Sequence, residues 1–486
     1  MNRKQPFPLK KAERKMGEVA PQRKAHVVLL PYPSQGHINP LLQFAKRLSS
    51  KGVKATMATT HYTVGSITAS PAVAVAVEPI SDGFDAGGFV QARDERTFLQ
   101  SFETHGTRTL SELVARHERT DSPVTCIVYD SFLPWALDVA RGHRIYGAAF
   151  FTNSATVCGV FCRVSRGVIK LPLASEEDGV AVPGLPKLGR VDLPTFVRFP
   201  ESNPAYLAMV LCQYSNLDEV DWVFCNTFQQ LESKVEAGSV KGHWPARLIG
   251  PMVPSSYLDG RIAGDKGYGA SLWKPLSDEC LKWLENKEPR SVAYISFGSM
   301  VNLTEEQMGE IAAALEETGI QFLWVVRASE HSKLPARFRE LNASKGLIVP
   351  WCNQLELLAH KATGCFVTHC GWNSTLEGLS LGVPMVAMPQ WSDQVTNAKY
   401  VEEIWKIGVR VKEDETGVVR REEVARCLKE VMMEGSRSLE IKVAARKWKQ
   451  MAVEAVSEGG ESDREINNFV RKLLSCSDHS NHTRIQ

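Results

Sequence analysis

The stretch Trp351–Gln394, WCNQLELLAHKATGCFVTHCGWNSTLEGLSLGVPMVAMPQWSDQ, decides how the rest of the chain is read. Within it GCFVT (364–368) is a short β-rich apolar run, HCGWNS (369–374) breaks it, and TLEGLSLG resumes with apolar residues at helical spacing. His369 therefore falls at a strand's end and Ser374 near a helix's start. The first amides of a helix have no partner inside it and sit at the positive end of its dipole, so such a turn suits a phosphate. A plainer reading stays open, in which Ser374 and Glu377 are an S-x-x-E capping box that only starts the helix.

The whole segment resembles the signature box of the plant family 1 glycosyltransferases, which move a sugar from a uridine diphosphate sugar to a small molecule. The resemblance implies that Trp351 stacks on uracil, Gln354 contacts ribose, and His369, Asn373 and Ser374 hold the phosphates. It further implies Glu377 on the ribose hydroxyls, Asp393 and Gln394 on the sugar hydroxyls, and Trp372 lining the sugar. The chemistry suits these roles, because an indole covers a flat π-face and hydroxyls want carboxylate acceptors. The sequence departs from the family at Asn353 and near Lys361, where Pro is common; altered loop stiffness, not an altered ligand, is expected there.

Working outward, 486 residues suffice for two or three domains with large cores. A 43% hydrophobic and 23% charged composition is that of an ordinary globular chain, and a net charge of +2 gives no electrostatic case for nucleic acid. No apolar run is long enough to span a bilayer. Eleven cysteines with no C-x-x-C pair, and a glycosylation sequon at Asn373 inside the proposed phosphate site, favour a reducing, cytoplasmic setting. The first 24 residues hold eight Lys or Arg and two acids but no apolar core, and read as a solvated basic tail, 1–24, rather than a targeting peptide. A monomer is expected.

AHVVLL reads as a buried strand, PYPSQGH as a turn, and NPLLQFAKRLSSKG as an amphipathic helix closed by Gly52. KATMA, AVAVAVE, TCIVYD and WVFCNT follow as strands with helices between them, which makes 25–253 one Rossmann-like unit. The Gly- and Ser-rich segment 254–276 lacks periodicity and reads as an interdomain linker or long surface loop. A second series begins with SVAYISFGS, and a T-x-x-Q capping box at Thr304 starts the helix after it. Residues 277–460 form this second Rossmann-like unit, 461–474 a helix that in relatives returns to the first, and 475–486 a disordered tail. Two doubly wound parallel sheets facing across a cleft are the GT-B fold, which the resemblance also implies.

Sugar transfer to a hydroxyl needs a base, and a His oriented by a carboxylate suits neutral pH. His37, in QGHINP, resembles the family's general base and Asp130, ending CIVYD, the carboxylate that orients it. Taken alone, a turn His is more often solvent-exposed and an Asp after a strand more often a helix cap. Ser299, in the FGS turn, resembles a further phosphate contact. The implied reaction is a single inverting displacement with UDP-glucose as co-substrate and no cofactor. No D-x-D triplet is present to hold a metal, and Cys365, His369 and Cys370 match no zinc spacing.

Gln394 resembles glucose-preferring members, so a β-glucoside on a small hydrophobic acceptor is expected, through its hydroxyl or carboxyl. The acceptor is to be read by the N-terminal unit, with Asn153 and the run SATVCGVFC as candidate lining. Competing readings are a UDP-sugar hydrolase or epimerase and a non-catalytic UDP-sugar-binding protein. Neither a G-x-S-x-G elbow nor a G-x-G-x-x-G opening supports an esterase or a dehydrogenase.

Overall fold

The computed structural model describes residues 25–67, 74–173, 187–232, 246–271, 273–341 and 345–479. The expected basic tail 1–24 lies outside them, as does the chain from 480 onward.

Short apolar runs, buried on both faces in the central strands and partly exposed at the edges, give two all-parallel sheets. The first holds β1 (His26–Leu30), β2 (Lys54–Thr60), β3 (Val75–Ile80), β4 (Cys126–Asp130), β5 (Tyr146–Phe151), β6 (Trp222–Cys225) and β7 (Ala246–Leu248). Their spatial order is β3-β2-β1-β4-β5-β6-β7. The second holds β8 (Val292–Ser296), β9 (Gln321–Val325), β10 (Gly346–Val349), β11 (Thr363–Thr368), β12 (Met385–Ala387) and β13 (Gly408–Arg410), in the order β10-β9-β8-β11-β12-β13. The GT-B arrangement expected from the sequence is present.

Topology places the chemistry. Each sheet reverses its winding beside its first strand, between β1 and β4 in one and between β8 and β11 in the other. A ligand crevice forms where neighbouring strands send their connections to opposite faces. His37 follows β1 and Asp130 ends β4, in register Leu30↔Tyr129. Ser299 follows β8 and His369 follows β11, in register Ser296↔Thr368.

Several local expectations are corrected. The helix after β1 runs Gln35–Ser50, so His37 lies in its first turn and not in a preceding loop. Ser374 is not a cap: Gly371 precedes the helix Trp372–Leu381, and the Ser374 hydroxyl accepts from Gln354 Nε2 at 2.9 Å. At Thr304 only half the capping box forms, because the Gln307 amide pairs with both backbone groups of Val419. The last helix continues past 474 to His479. It packs on the first sheet through Phe469, which meets Phe44, Trp222 and Phe224.

The segment 254–276 is exposed along much of its length but is anchored at buried points. Asp265 is buried and accepts from Lys46 Nζ (2.8 Å), Gln43 Nε2 (2.7 Å) and the Ser255 amide (2.7 Å). Lys46 also donates to the Gly267 carbonyl, and Gln35 to that of Ala270. The segment is thereby strapped along the helix that carries His37.

Candidate active site

A cavity of about 680 Å³ lies between the sheets and is lined by residues of both, from Tyr32 and His37 to Asp393 and Gln394. His37 Nδ1 meets Asp130 Oδ2 at 2.6 Å, with the carboxylate fully buried and the ring 17% exposed. Asp130 Oδ1 accepts from the Phe132 amide at 3.0 Å, so both carboxylate oxygens are held. An acceptor at Nδ1 fixes the proton there and leaves Nε2 with the lone pair. The Thr152 hydroxyl stands 3.3 Å from Nδ1, and the ring packs between Tyr32 and Phe132.

Across the cavity the turn after β11 is tight. Cys370 has φ +63, and a Cβ on Gly371 would come within 2.5 Å of His369 Nε2. Gly298 (φ +70) closes the other side, where a Cβ would stand 2.8 Å from the same ring. The His369 ring lines the cavity and is partly buried; that burial pulls its pKa down to about 4 against a smaller opposing pull from the Ser296 backbone. It is therefore neutral at physiological pH, and its Nδ1 has no hydrogen-bond partner among the described residues. No Lys or Arg lines the cavity among the described residues. What remains for an anion is the row of first-turn amides of Trp372–Leu381, with the dipole behind them. Arg327 stands behind the Ser299 turn, donating to the Ser299 and Val301 carbonyls.

Two side chains expected at the ligand are engaged elsewhere. Asn373 Nδ2 donates to the Gly36 carbonyl in the other half of the molecule. That carbonyl is free because Pro40, four residues on, has no N–H to return to it. Trp372 is 4% exposed, and its indole N–H donates to the Asn226 carbonyl at 2.8 Å. Both side chains join the two halves while still lining the cavity, and their backbone amides open the helix beside it.

Trp351 lines the cavity with its ring 4.5 Å from that of Trp273. Gln354 Nε2 donates to Glu377 Oε2 at 2.6 Å as well as to Ser374. Glu377 Oε1 accepts from the Tyr268 hydroxyl at 2.9 Å. Burial pushes the Glu377 carboxyl up to about 7 against these two hydrogen bonds. Gln394 Oε1 accepts from the amides of Gln390 and Trp391, which leaves its NH₂ for a ligand. Asp393 Oδ2 accepts from Asn397 at 2.7 Å, and burial pushes this carboxyl up to about 6.

Residues 222–446 match the family described as UDP-glucoronosyl and UDP-glucosyl transferase. The chain is 50% identical over 462 residues to UDP-glycosyltransferase 74B1 of Arabidopsis thaliana, covering 94% of this chain and 100% of the relative. It belongs to the plant UDP-glycosyltransferases. It is also 47% identical over 455 residues to flavonol 7-O-beta-glucosyltransferase UGT74F1 of Arabidopsis thaliana, covering 93% and 98% of the two chains. The structure of Os79 from O. sativa in complex with UDP superposes with a TM-score of 0.87 at 42% identity, over 92% of this chain and 100% of that one. This UDP-glycosyltransferase is thus an enzyme that uses a UDP-sugar donor and acts on small organic acceptors.

Some of the UDP-glycosyltransferase's site residues were not foreseen from sequence. Tyr32, Phe132, Phe196, Tyr206, Met209 and Trp391 give the cavity an aromatic and apolar wall. Of the run Asn153–Cys162, Asn153 reaches the cavity. Ser154 caps the helix Ala155–Ser165, and the residues after it pack into the core. Pro40 was the available signal for the Gly36–Asn373 junction, and Tyr268 gave none. Among the described residues no three His, Cys, Asp or Glu side chains gather as a metal site. No described helix is long and apolar enough to cross a membrane.

Proposed function

We propose that this enzyme transfers glucose from UDP-glucose, with inversion, to a neutral hydroxyl of a small hydrophobic acceptor. The carrying observation is the 2.6 Å contact of His37 Nδ1 with buried Asp130, on the wall of the same cavity that holds Trp351, Glu377 and Asp393. His37 Nε2 takes the acceptor's proton, Asp130 stabilises the imidazolium, and the oxygen attacks the anomeric carbon from the face opposite the diphosphate. The carbon–oxygen bond to UDP breaks, and a β-glucoside results.

Uracil lies on Trp351, and the ribose hydroxyls replace Tyr268 on Glu377. The departing diphosphate meets the first-turn amides of Trp372, Asn373 and Ser374, with His369 and Ser299 as neutral donors. Preorganised donors of this kind are worth several kcal/mol at developing charge, roughly 3 for a single one. They serve here in place of a metal. Asp393 and the Gln394 amide hold glucose hydroxyls. The aromatic wall, with no lining Lys or Arg among the described residues, favours an uncharged acceptor over a carboxylate. The flavonol glucosyltransferase named above supports a phenolic hydroxyl as the first acceptor to try.

The test is UDP release from UDP-glucose in EDTA, with and without a panel of flavonols, terpenoid alcohols and aromatic acids, beside His37→Ala. Release that needs an acceptor, survives EDTA and is lost in the variant supports the reading, and the product's anomeric coupling constant reports inversion. Release without acceptor, untouched by the substitution, would mean a hydrolase.

A further inference from the structure

The loop that carries Asp393 and Gln394 is held from the opposite half of the molecule. Ser392 has φ +59, a left-handed conformation that costs a non-glycine residue about 1 kcal/mol or more. Both its backbone groups are taken by one residue: its amide donates to Thr195 Oγ1 at 2.7 Å, and its carbonyl accepts from the Thr195 amide at 3.0 Å. Thr195 opens the short helix Thr195–Arg198, in the unit that faces the acceptor.

The surrounding contacts make this a bracket. Asp192 pairs with Lys399 at 3.0 Å and Arg410 at 2.9 Å, and its carbonyl accepts from the Thr396 hydroxyl at 2.6 Å. Lys399 and Thr396 belong to the helix Gln394–Lys399, which Asp393 precedes. On the cavity side Trp391 meets Phe196 and Tyr206 edge-on, each at 5.8 Å between centroids. The residue before Ser392 thus forms acceptor wall, and the two after it face the sugar.

We infer that Thr195, by pairing both backbone groups of left-handed Ser392, is a positioning residue for the donor sugar, setting Asp393 and Gln394 from the acceptor-binding half. Thr195 itself is not part of the cavity lining. It makes sugar recognition depend on the two halves being docked, and it ties the sugar loop to the wall against which the acceptor lies. The inference rests on the reading that Asp393 and Gln394 hold the sugar.

The test compares binding of UDP and of UDP-glucose by calorimetry in the full-length enzyme and in Thr195→Val, Thr195→Ser and Asp393→Asn. Loss of one hydrogen bond and the set of the loop is expected to weaken UDP-glucose about fivefold to tenfold in Thr195→Val. UDP, which lacks the sugar, should change less than about twofold, which also reports that the variant is folded. The preference for UDP-glucose over UDP-galactose should shrink, and Thr195→Ser should restore both affinity and preference. Asp192→Asn, which loosens the same bracket, should repeat the pattern. Equal losses for UDP and UDP-glucose, or no loss for either, overturn the inference. If Asp393→Asn weakens UDP-glucose while Thr195→Val does not, the inference alone fails. If Asp393→Asn also has no effect, the sugar-loop reading fails with it.

Discussion

Asp130 does two separable things: it orients His37 and it carries the charge that answers an imidazolium. Asp130→Asn keeps the shape and the Phe132 amide bond but offers His37 Nδ1 either a neutral oxygen or a donor. The variant is expected to lose roughly three to four orders of magnitude in kcat, as for a triad aspartate turned to asparagine. UDP affinity should hold within about twofold, since Asp130 lies on the far wall. Equal loss of UDP binding would show that the pair holds the fold and not the reaction. Glu377 allows a second prediction. Burial disfavours the charge and pushes its carboxyl up to about 7. Accepting two ribose hydroxyls calls for the ionised form, so affinity should rise as pH passes upward through 7. Uridine is the clean probe, having no phosphate to titrate. Its affinity should fall several-fold from above pH 7 to below it, and Glu377→Gln should flatten the profile while weakening binding at high pH.

At the scale of elements, legibility followed sequence distance. His369, Ser374 and Glu377 lie within one strand-turn-helix unit, so their neighbourhood could be read from apolar spacing alone, and the resemblance added their ligand. The His37–Asp130 contact spans 93 residues, yet both sit at ends of readable strands that a parallel sheet brings together. Thr195 and Ser392 are 197 residues apart and Tyr268 and Glu377 are 109 apart, with no periodic element at the first member of either pair. Glycine and serine in 254–276 suggested a solvated connection, but one buried carboxylate, Asp265, draws three donors and pins the segment to the helix that carries His37. Breaking a buried ion pair leaves an unpaired charge and costs about 3 to 5 kcal/mol. Asp265→Asn is therefore expected to lower the unfolding midpoint substantially. The double variant Lys46→Met, Asp265→Leu should recover much of the stability, as measured by urea unfolding. If the single and double variants fall equally, the strap owes its place to other contacts.

Across the whole molecule, four wholly or partly buried groups set opposing responses to acid. Burial holds His26 and His369 near 4, against an ordinary 6.5. Each binds protons more weakly folded than unfolded, so its stabilising contribution is present above 6.5 and is lost as pH falls towards 4. Glu377 near 7 and Asp393 near 6 run the other way, binding protons more tightly when folded. Their burial opposes folding at neutral pH and is relieved as pH falls towards the ordinary carboxylate range. His26 can be tested apart from the other three because they line the ligand cleft and it does not. His26 is held in the first sheet, Nδ1 against the Ser122 carbonyl at 2.9 Å and Nε2 against the Thr56 hydroxyl at 2.8 Å. At pH 5 its loss should amount to about 2 kcal/mol. His26→Gln, which can still donate and accept, removes that titration. The variant should be less stable than the natural chain at pH 7 and should close most of the gap at pH 5, by urea unfolding without ligand. A gap that stays constant between the two pH values would mean that His26 binds protons equally well folded and unfolded, with the acid response arising in the cleft.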